Sequence, residues 1–233
     1  PSLRVIRRLK VQPTDGELYL CEFLKEKLDD NCYVFFKPYL DSDRPDIIVL
    51  KKGCGAVIVG IKDWKLDRYK INQKNRWSVD DSVVKSPFLQ TFKYKTNLYD
   101  LHLPILGLSE ALNKYFFKVI DCYVYFHLET KENIKEKYNL VIGEIKIEMK
   151  ENEKQYKQEK ISYQDYERNR IRLQNNKKAL NMDESLSITK DTADRLSKKI
   201  YQLQPSNLFT SDIFDEFYNR LNPVCNKWLL HKR

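Results

Sequence analysis

An acidic and a basic side chain in the first third of the chain have the types and spacing for chemistry on phosphate esters. Asp46 opens one short apolar run, residues 46–50, and Lys62 closes the next, residues 56–62. Such runs are typical of buried strands, and a short turn between them predicts a hairpin. A carboxylate and a lysine placed in this way form half of a metal-dependent phosphodiesterase site, because the metal lowers the pKa of a bound water and the lysine offsets phosphate charge.

The other half of such a site is a second carboxylate two residues before the lysine. Residues two apart in a strand point to the same face, but the residue in that place is Gly60, which has no side-chain oxygen. The next acid, Asp63, faces the other side of a regular strand, so we expect it not to substitute. Loss of one charge-stabilising group typically costs about 2.7–4 kcal/mol of barrier. The sequence therefore predicts impaired cleavage at this position.

Periodicity and turn signals predict the elements that carry these residues. A helix is expected over residues 16–29, with Asp15 as its N-cap, and Ser86 caps another over residues 86–101. Further helices are predicted over residues 109–117, 191–203 and 211–221. Strands are predicted over residues 32–40, 47–50, 56–62, 122–128 and 140–147, with a more exposed hairpin over 69–72 and 76–79. The almost wholly polar stretch 148–178 favours a solvated helix or helical hairpin.

Four segments occur in order at suitable spacing: Asp15-Gly16-Glu17, RPDIIV at 44–49, IVGIKDW at 58–64 and SPFLQ at 86–90. Together they resemble the nuclease-related domain (NERD), a branch of the PD-(D/E)XK nuclease superfamily. The resemblance covers about residues 12–105. Residues 122–127, 188–203 and 209–223 are similar, more weakly, to the segment that follows this domain in bacterial superfamily 1 helicases, although the chain has no GxxxxGK[ST] loop.

The resemblance implies an α/β, restriction-endonuclease-like fold, with a mixed sheet of four or five strands flanked by helices. Residues 1–118 would form the nuclease-like core. Residues 119–233 would form a small C-terminal α/β extension that packs on the core and carries the polar helical insertion at about 148–178.

The resemblance also implies a site made of Glu17, Asp46, Gly60, Lys62 and Gln90. Glu17 and Asp46 would hold Mg²⁺ or Mn²⁺, with only the backbone carbonyl of Gly60 in the place where the family pattern has Glu or Asp. Lys62 would assist attack, and Gln90 would position water or phosphate. Hard divalent ions prefer such oxygen ligands.

The net charge of +9 favours a polyanionic partner, which we expect to be DNA. Basic side chains crowd the region around the predicted hairpins and could follow a phosphate backbone beside the metal site, although a solvated face explains them equally simply. They are Lys51, Lys52, Lys65, Arg68, Lys70, Lys74 and Arg76.

Each site residue also has a simpler interpretation. Glu17 could complement a helix dipole, Asp46 could cap a turn, and Lys62 could be an ordinary strand end. It is their occurrence together, in order, that favours a nuclease-type site. A second Glu-x-Lys, Glu144 to Lys146, lacks an acid-led strand before it and is not expected to be the motif.

Two alternatives to a cleaving enzyme stay open. One is a nucleic-acid-binding module that keeps the fold without the cut, and Gly60 supports it. The other is a protein-interaction module of a repair or defence complex, with a helicase among the possible partners and the 148–178 segment as the contact.

The sequence argues against a zinc site, because its cysteines are scattered without a CxxC pair and its histidines (His102, His127, His231) are isolated. It also has no apolar run long enough to span a membrane. We therefore expect a cytoplasmic protein.

Overall fold

A computed structural model describes residues 12–221 and 229–230. Its elements, in chain order, are α1 (Asp15–Lys27), β1 (Cys32–Phe36), β2 (Ile47–Lys51), β3 (Gly55–Lys62), β4 (Tyr69–Ile71), β5 (Trp77–Val79), β6 (Ser82–Val84), α2 (Pro87–Asn97), α3 (Pro104–Leu112), β7 (Ile120–Phe126), α4 (Lys131–Lys157), α5 (Tyr163–Leu186), β8 (Ser187–Thr189), α6 (Ala193–Tyr201), α7 (Ser211–Leu221) and β9 (Leu229–Leu230). The chain divides into two compact units, and the second is made of residues 65–86 and 129–187. No described helix has the length and apolar character that a membrane span requires.

A mixed six-stranded sheet, in the order β8-β7-β3-β2-β1-β9, forms the centre of the first unit. Strands β1, β2 and β3 are antiparallel neighbours, and β7 runs parallel to β3. The β2–β3 turn uses Gly53 at a φ of 70°, a conformation that glycine adopts without steric cost. The fold class predicted from the sequence, a mixed α/β sheet with flanking helices, is confirmed.

The central strands are buried on both faces, which explains why they appear in the sequence as continuous apolar runs and not as alternating ones. Every residue of β2 from Ile47 to Leu50 is buried, and so is β3 from Gly55 to Ile61. One face packs against α2, the π-helical turn Leu98–His102, α3 and α7 in a single hydrophobic cluster. This burial holds the ends of β2 and β3 in a fixed position.

The second unit combines a three-stranded antiparallel sheet, β4-β5-β6, with a hairpin of two long helices, α4 and α5. Trp77 of β5 is fully buried in this unit. Strand β6 was not predicted.

The strand predicted over residues 140–147 is wrong, because this segment lies within α4. Its apolar residues continue a helical spacing in which Ile134, Tyr138, Val141 and Ile145 are buried together. The helix start at Asp15 is also shifted, since Thr14 is the N-cap of α1.

The predicted division at residue 118 does not separate compact units. Strand β7 follows this position directly and pairs with β3 along its whole length, so it belongs to the central sheet. The described residues do not include the end of the segment 209–223, for which a similarity was predicted, or His231.

Candidate active site

Strand register brings Asp46, Gly60 and Lys62 together where β2 begins and β3 ends. Ile47 pairs with Val59, so the preceding Asp46 lies opposite Gly60. The Oδ2 atom of Asp46 accepts a hydrogen bond from the backbone N–H of Ile61 at 2.8 Å. Because residues two apart in β3 share a face, Gly60 and Lys62 point to the same side.

Glu17 joins this group from the first turn of α1. Its Oε2 atom accepts the backbone N–H of Thr14 at 2.9 Å, and the Thr14 hydroxyl accepts the N–H of Glu17 in return. This reciprocal capping box fixes the start of the helix and the direction of the carboxylate. Glu17 is buried, at 6% exposure.

A lysine that the sequence analysis missed completes the charge balance. The Nζ atom of Lys37 lies 2.8 Å from Oε1 of Glu17, and its backbone N–H donates to the carbonyl of Asp46. Lys37 has a φ of 44°, a left-handed conformation that costs a non-glycine residue about 1–3 kcal/mol and that is concentrated at functional sites. Its position after β1 gave no signal, because only the β1–β2 pairing places it beside Asp46.

Helix α2 supplies Gln90. Its Oε1 atom accepts a hydrogen bond from Nζ of Lys62 at 3.0 Å, and its Nε2 atom donates to the hydroxyl of Tyr94 one turn later. Lys62 also lies 5.3 Å from the ring centre of Trp64, a cation–π contact. We call Glu17, Lys37, Asp46, Lys62 and Gln90 the carboxylate–lysine site.

The space that a side chain at position 60 would need is filled by Thr91, the neighbour of Gln90. A Cβ atom on Gly60 would lie 2.5 Å from Oγ1 of Thr91, much closer than any ordinary contact. That hydroxyl is buried and donates to the carbonyl of Pro87 at 2.9 Å. Gly60 and Thr91 are therefore matched to each other, and an acid at position 60 would require Thr91 to move.

Burial dominates the electrostatics of the site. It raises the pKa of Asp46, although the N–H of Ile61 and the charge of Lys62 oppose this rise. Burial also lowers the pKa of Lys62, and the negative charges of Asp46 and Glu17 oppose this fall. The opposite charges of Asp46 and Lys62 therefore each offset part of the cost of burying the other.

The donor set does not fit the divalent ion that the resemblance implies. Glu17 and Asp46 each already accept a backbone N–H, and Lys37 places an ammonium against Glu17. Throughout residues 12–221, no three His, Cys, Asp or Glu side chains gather in a way that could hold a metal. Two carboxylates with two ammonium groups form a site that is already neutral, so an added cation would meet little net attraction.

The predicted basic cluster is divided between the two units, and part of its predicted position is wrong. Lys51 lies at the far end of β2 from Asp46, and its Nζ atom donates to carbonyls at the C-terminus of α6. Lys52 follows it in the turn, so neither is beside the carboxylate–lysine site.

In the second unit, Arg68 and Lys70 pair with exposed Asp80 and Asp81. Contact of these residues, or of Lys65, Lys74 and Arg76, with nucleic acid stays a prediction.

Several residues near the motif have structural partners instead of a place in the site. Asp63 accepts the backbone N–H of Gly16 at 3.3 Å, so it faces away from Lys62 as expected. His102 contacts Asp43 at 2.9 Å, and His127 contacts the hydroxyl of Tyr125. Glu144 and Lys146 lie on α4, where residues two apart do not share a face.

Comparison with known families gives one result. The family model of the nuclease-related domain matches residues 12–127, from the residues before α1 to the end of β7. No curated protein and no solved structure gives a significant match. The match includes residues 122–127 but stops before 188–203 and 209–223, so the weaker similarity of these later segments to helicase-associated sequences stays a prediction.

Proposed function

Because residues 12–127 belong to the nuclease-related domain family, we propose that this domain binds DNA at the carboxylate–lysine site and, as its sequence stands, does not cut it. The observation that carries the proposal is the pairing of Gly60 with Thr91. The position opposite Asp46 lacks a carboxylate, and a buried hydroxyl takes up the space for one.

The charges of the site support binding without a metal. A phosphate approaching two uncompensated carboxylates would be repelled, but Lys37 and Lys62 balance them. Lys62 is half-buried and held by Gln90, so its ammonium has a fixed direction from which to contact a phosphate oxygen. The net charge of +9 adds general attraction to a polyanion.

The same features oppose cleavage. Loss of one group that stabilises transition-state charge typically lowers the rate by about 10²–10³-fold. Here the missing carboxylate and the ammonium against Glu17 act together, since both reduce the attraction for a divalent ion. Mg²⁺- or Mn²⁺-dependent cleavage, the function first expected from the sequence, is thus the less favoured candidate.

A salt titration tests the binding proposal. The affinity for a short fluorescent DNA duplex, followed by anisotropy, should fall steeply as salt rises, because bound phosphates release counterions. Lys62→Gln should weaken binding and reduce the slope of log affinity against log salt by about 0.9, the value for one phosphate contact. Lys198→Gln on α6 removes the same charge from an exposed position and is the control. Equal effects of the two substitutions, or a flat salt dependence, would contradict binding at this site.

A further inference from the structure

The tip of the α4–α5 hairpin carries three tyrosines that pack on one another in solvent. The rings of Tyr156 and Tyr166 are stacked, with centroids 4.7 Å apart and planes inclined by 17°. Tyr163 contacts both rings at 6.0 and 6.5 Å. Tyr163 is 61% exposed and Tyr156 is 38% exposed. Aromatic faces are thus displayed at the point where the two helices join.

A cavity of about 440 Å³ lies within the hairpin next to this tip. Tyr166 belongs to the tyrosine cluster and also lines the cavity. Its charged lining consists of Lys146, Lys150, Arg170, Lys177 and Glu153. The buried amide of Asn152 also lines it and donates to the carbonyl of Tyr166, while its oxygen accepts from Asn169. These bonds tie α4 to α5, so the cavity has a fixed wall.

Positive charge dominates the cavity. Glu153 is paired with Lys157 at 2.6 Å, which offsets its negative charge. Arg170 is paired with Glu167 at 2.8 Å. Within the described part of the chain, no acidic side chain pairs with Lys146, Lys150 or Lys177. Three ammonium groups are therefore available to an anionic ligand beside exposed aromatic rings.

We propose that this hairpin tip binds single-stranded nucleic acid, with bases on Tyr156 and Tyr163 and phosphates on the lysines of the cavity. Every base has a face that can stack on an aromatic ring, and a basic groove follows the backbone. An acidic peptide would use the lysines but would gain little from the exposed rings. The proposal concerns the second unit alone and does not depend on DNA binding at the carboxylate–lysine site.

The stacking part of the proposal is tested with the full chain and a short single-stranded oligonucleotide that contains 2-aminopurine. Stacking should quench its fluorescence, and the double variant Tyr156→Leu/Tyr163→Leu should remove the quenching and weaken binding about 5- to 100-fold. Leucine keeps an apolar side chain at these exposed positions. Tyr115→Leu changes a comparably exposed tyrosine of the first unit and should change neither quantity.

The charge part is tested with neighbouring lysines on α5. Lys177→Gln should reduce the salt slope for the oligonucleotide by about 0.7. Lys178→Gln, which removes the same charge outside the cavity, should reduce it less. A separate competition with polyglutamate identifies the ligand class: efficient displacement together with unchanged binding by the tyrosine variant would overturn the proposal in favour of an acidic peptide.

Two further outcomes separate this proposal from the previous one. If Lys62→Gln weakens duplex binding while oligonucleotide binding still depends on Tyr156 and Tyr163, both proposals hold independently. If the oligonucleotide fails to bind, or binds without quenching, the hairpin proposal is wrong whatever the duplex does.

Discussion

The ammonium of Lys37 lies 2.8 Å from one carboxylate oxygen of Glu17, while the other oxygen caps helix α1 through the N–H of Thr14. One buried carboxylate thus links the end of β1 to the start of α1. The ammonium of Lys37 also balances the charge of Glu17, which contributes to the neutrality of a site that resembles a metal centre.

This pair should be worth much more to stability than a surface pair. A double-mutant cycle with Glu17→Gln and Lys37→Gln should give a coupling energy of about 1–3 kcal/mol in urea unfolding, because Glu17 is buried and Lys37 is partly exposed. Glutamine at position 17 can still accept the N–H of Thr14. The exposed pair Lys70–Asp81 is the control and should give less than about 1 kcal/mol. Indistinguishable couplings would show that the Lys37–Glu17 contact is incidental.

Asp46→Asn should lower the pKa of Lys62 further. The negative charge of Asp46 opposes the lowering that burial imposes on Lys62, so its removal leaves burial less opposed. The measurement is an NMR titration of isotopically methylated lysines, in which Lys62→Gln assigns the resonance. An unchanged or raised pKa would mean that the two groups do not interact.

Gly16→Ala should destabilise the protein by about 1–3 kcal/mol, since overpacking forces the surroundings to shift. A Cβ atom there would meet Oδ1 of Asp63 at 2.0 Å and Cβ of His127 at 2.7 Å. Gly143→Ala is the matched control, because its Cβ would meet nothing within 4 Å and helix α4 should gain about 0.5–1 kcal/mol. Urea unfolding measures both. Equal effects would contradict the close approach of α1 to β3.

The second unit should lose stability as pH rises from about 4 to about 6. Burial raises the pKa of Asp183 to about 6, and the hydrogen bond from Asn75 only partly opposes this. The unfolded chain releases this proton at a lower pH, near about 3.9, so ionisation disfavours the folded state within that interval and above it.

Asp183→Asn keeps an acceptor for Asn75 and removes the charge. The variant should be more stable than the parent by about 1–3 kcal/mol at about pH 7, and the difference should shrink towards about pH 4. Hydrogen exchange of α5 at both pH values measures this. A variant that is less stable at neutral pH would contradict the assignment.

Local sequence predicted the strands of the site well, because β2 and β3 are buried on both faces and are bounded by turn residues. The convergence of Glu17, Asp46, Lys62 and Gln90 was expected from the family resemblance alone. In the structure Lys62 donates to Gln90 and is affected by the charges of both acids, while the role of the four residues as a site stays a prediction. The strand prediction for residues 140–147 was wrong because a short apolar run fits a buried strand as well as a buried helix. Only the longer spacing from Ile134 to Ile145 distinguishes the two.

Lys37 and Thr91 could not have been found by the same reasoning. Each acquires its role through a contact between distant segments, Lys37 through the β1–β2 register and Thr91 through the packing of α2 on β3. Neither contact has a signature in the residues around it. The predicted position of Lys51 was wrong because the extended strand β2 carries Lys51 to the end opposite Asp46, although the two residues are close in sequence.

The substitution that tests the central claim must make room as well as restore charge. Gly60→Glu alone would press against the hydroxyl of Thr91, whereas Gly60→Glu with Thr91→Ala leaves the new Cβ 3.8 Å from the Cβ of residue 91. Thr91→Ala alone controls for the loss of the hydroxyl. Adding Asp46→Asn to the double variant tests whether any activity arises at this site.

The most direct measurement is Mg²⁺-dependent nicking of supercoiled plasmid by these proteins at equal concentration. We predict that the parent chain and Thr91→Ala bind without nicking. Gly60→Glu/Thr91→Ala should nick in Mg²⁺, and Asp46→Asn should abolish this activity. Nicking by the parent chain that requires Mg²⁺ and disappears in Asp46→Asn would contradict the account.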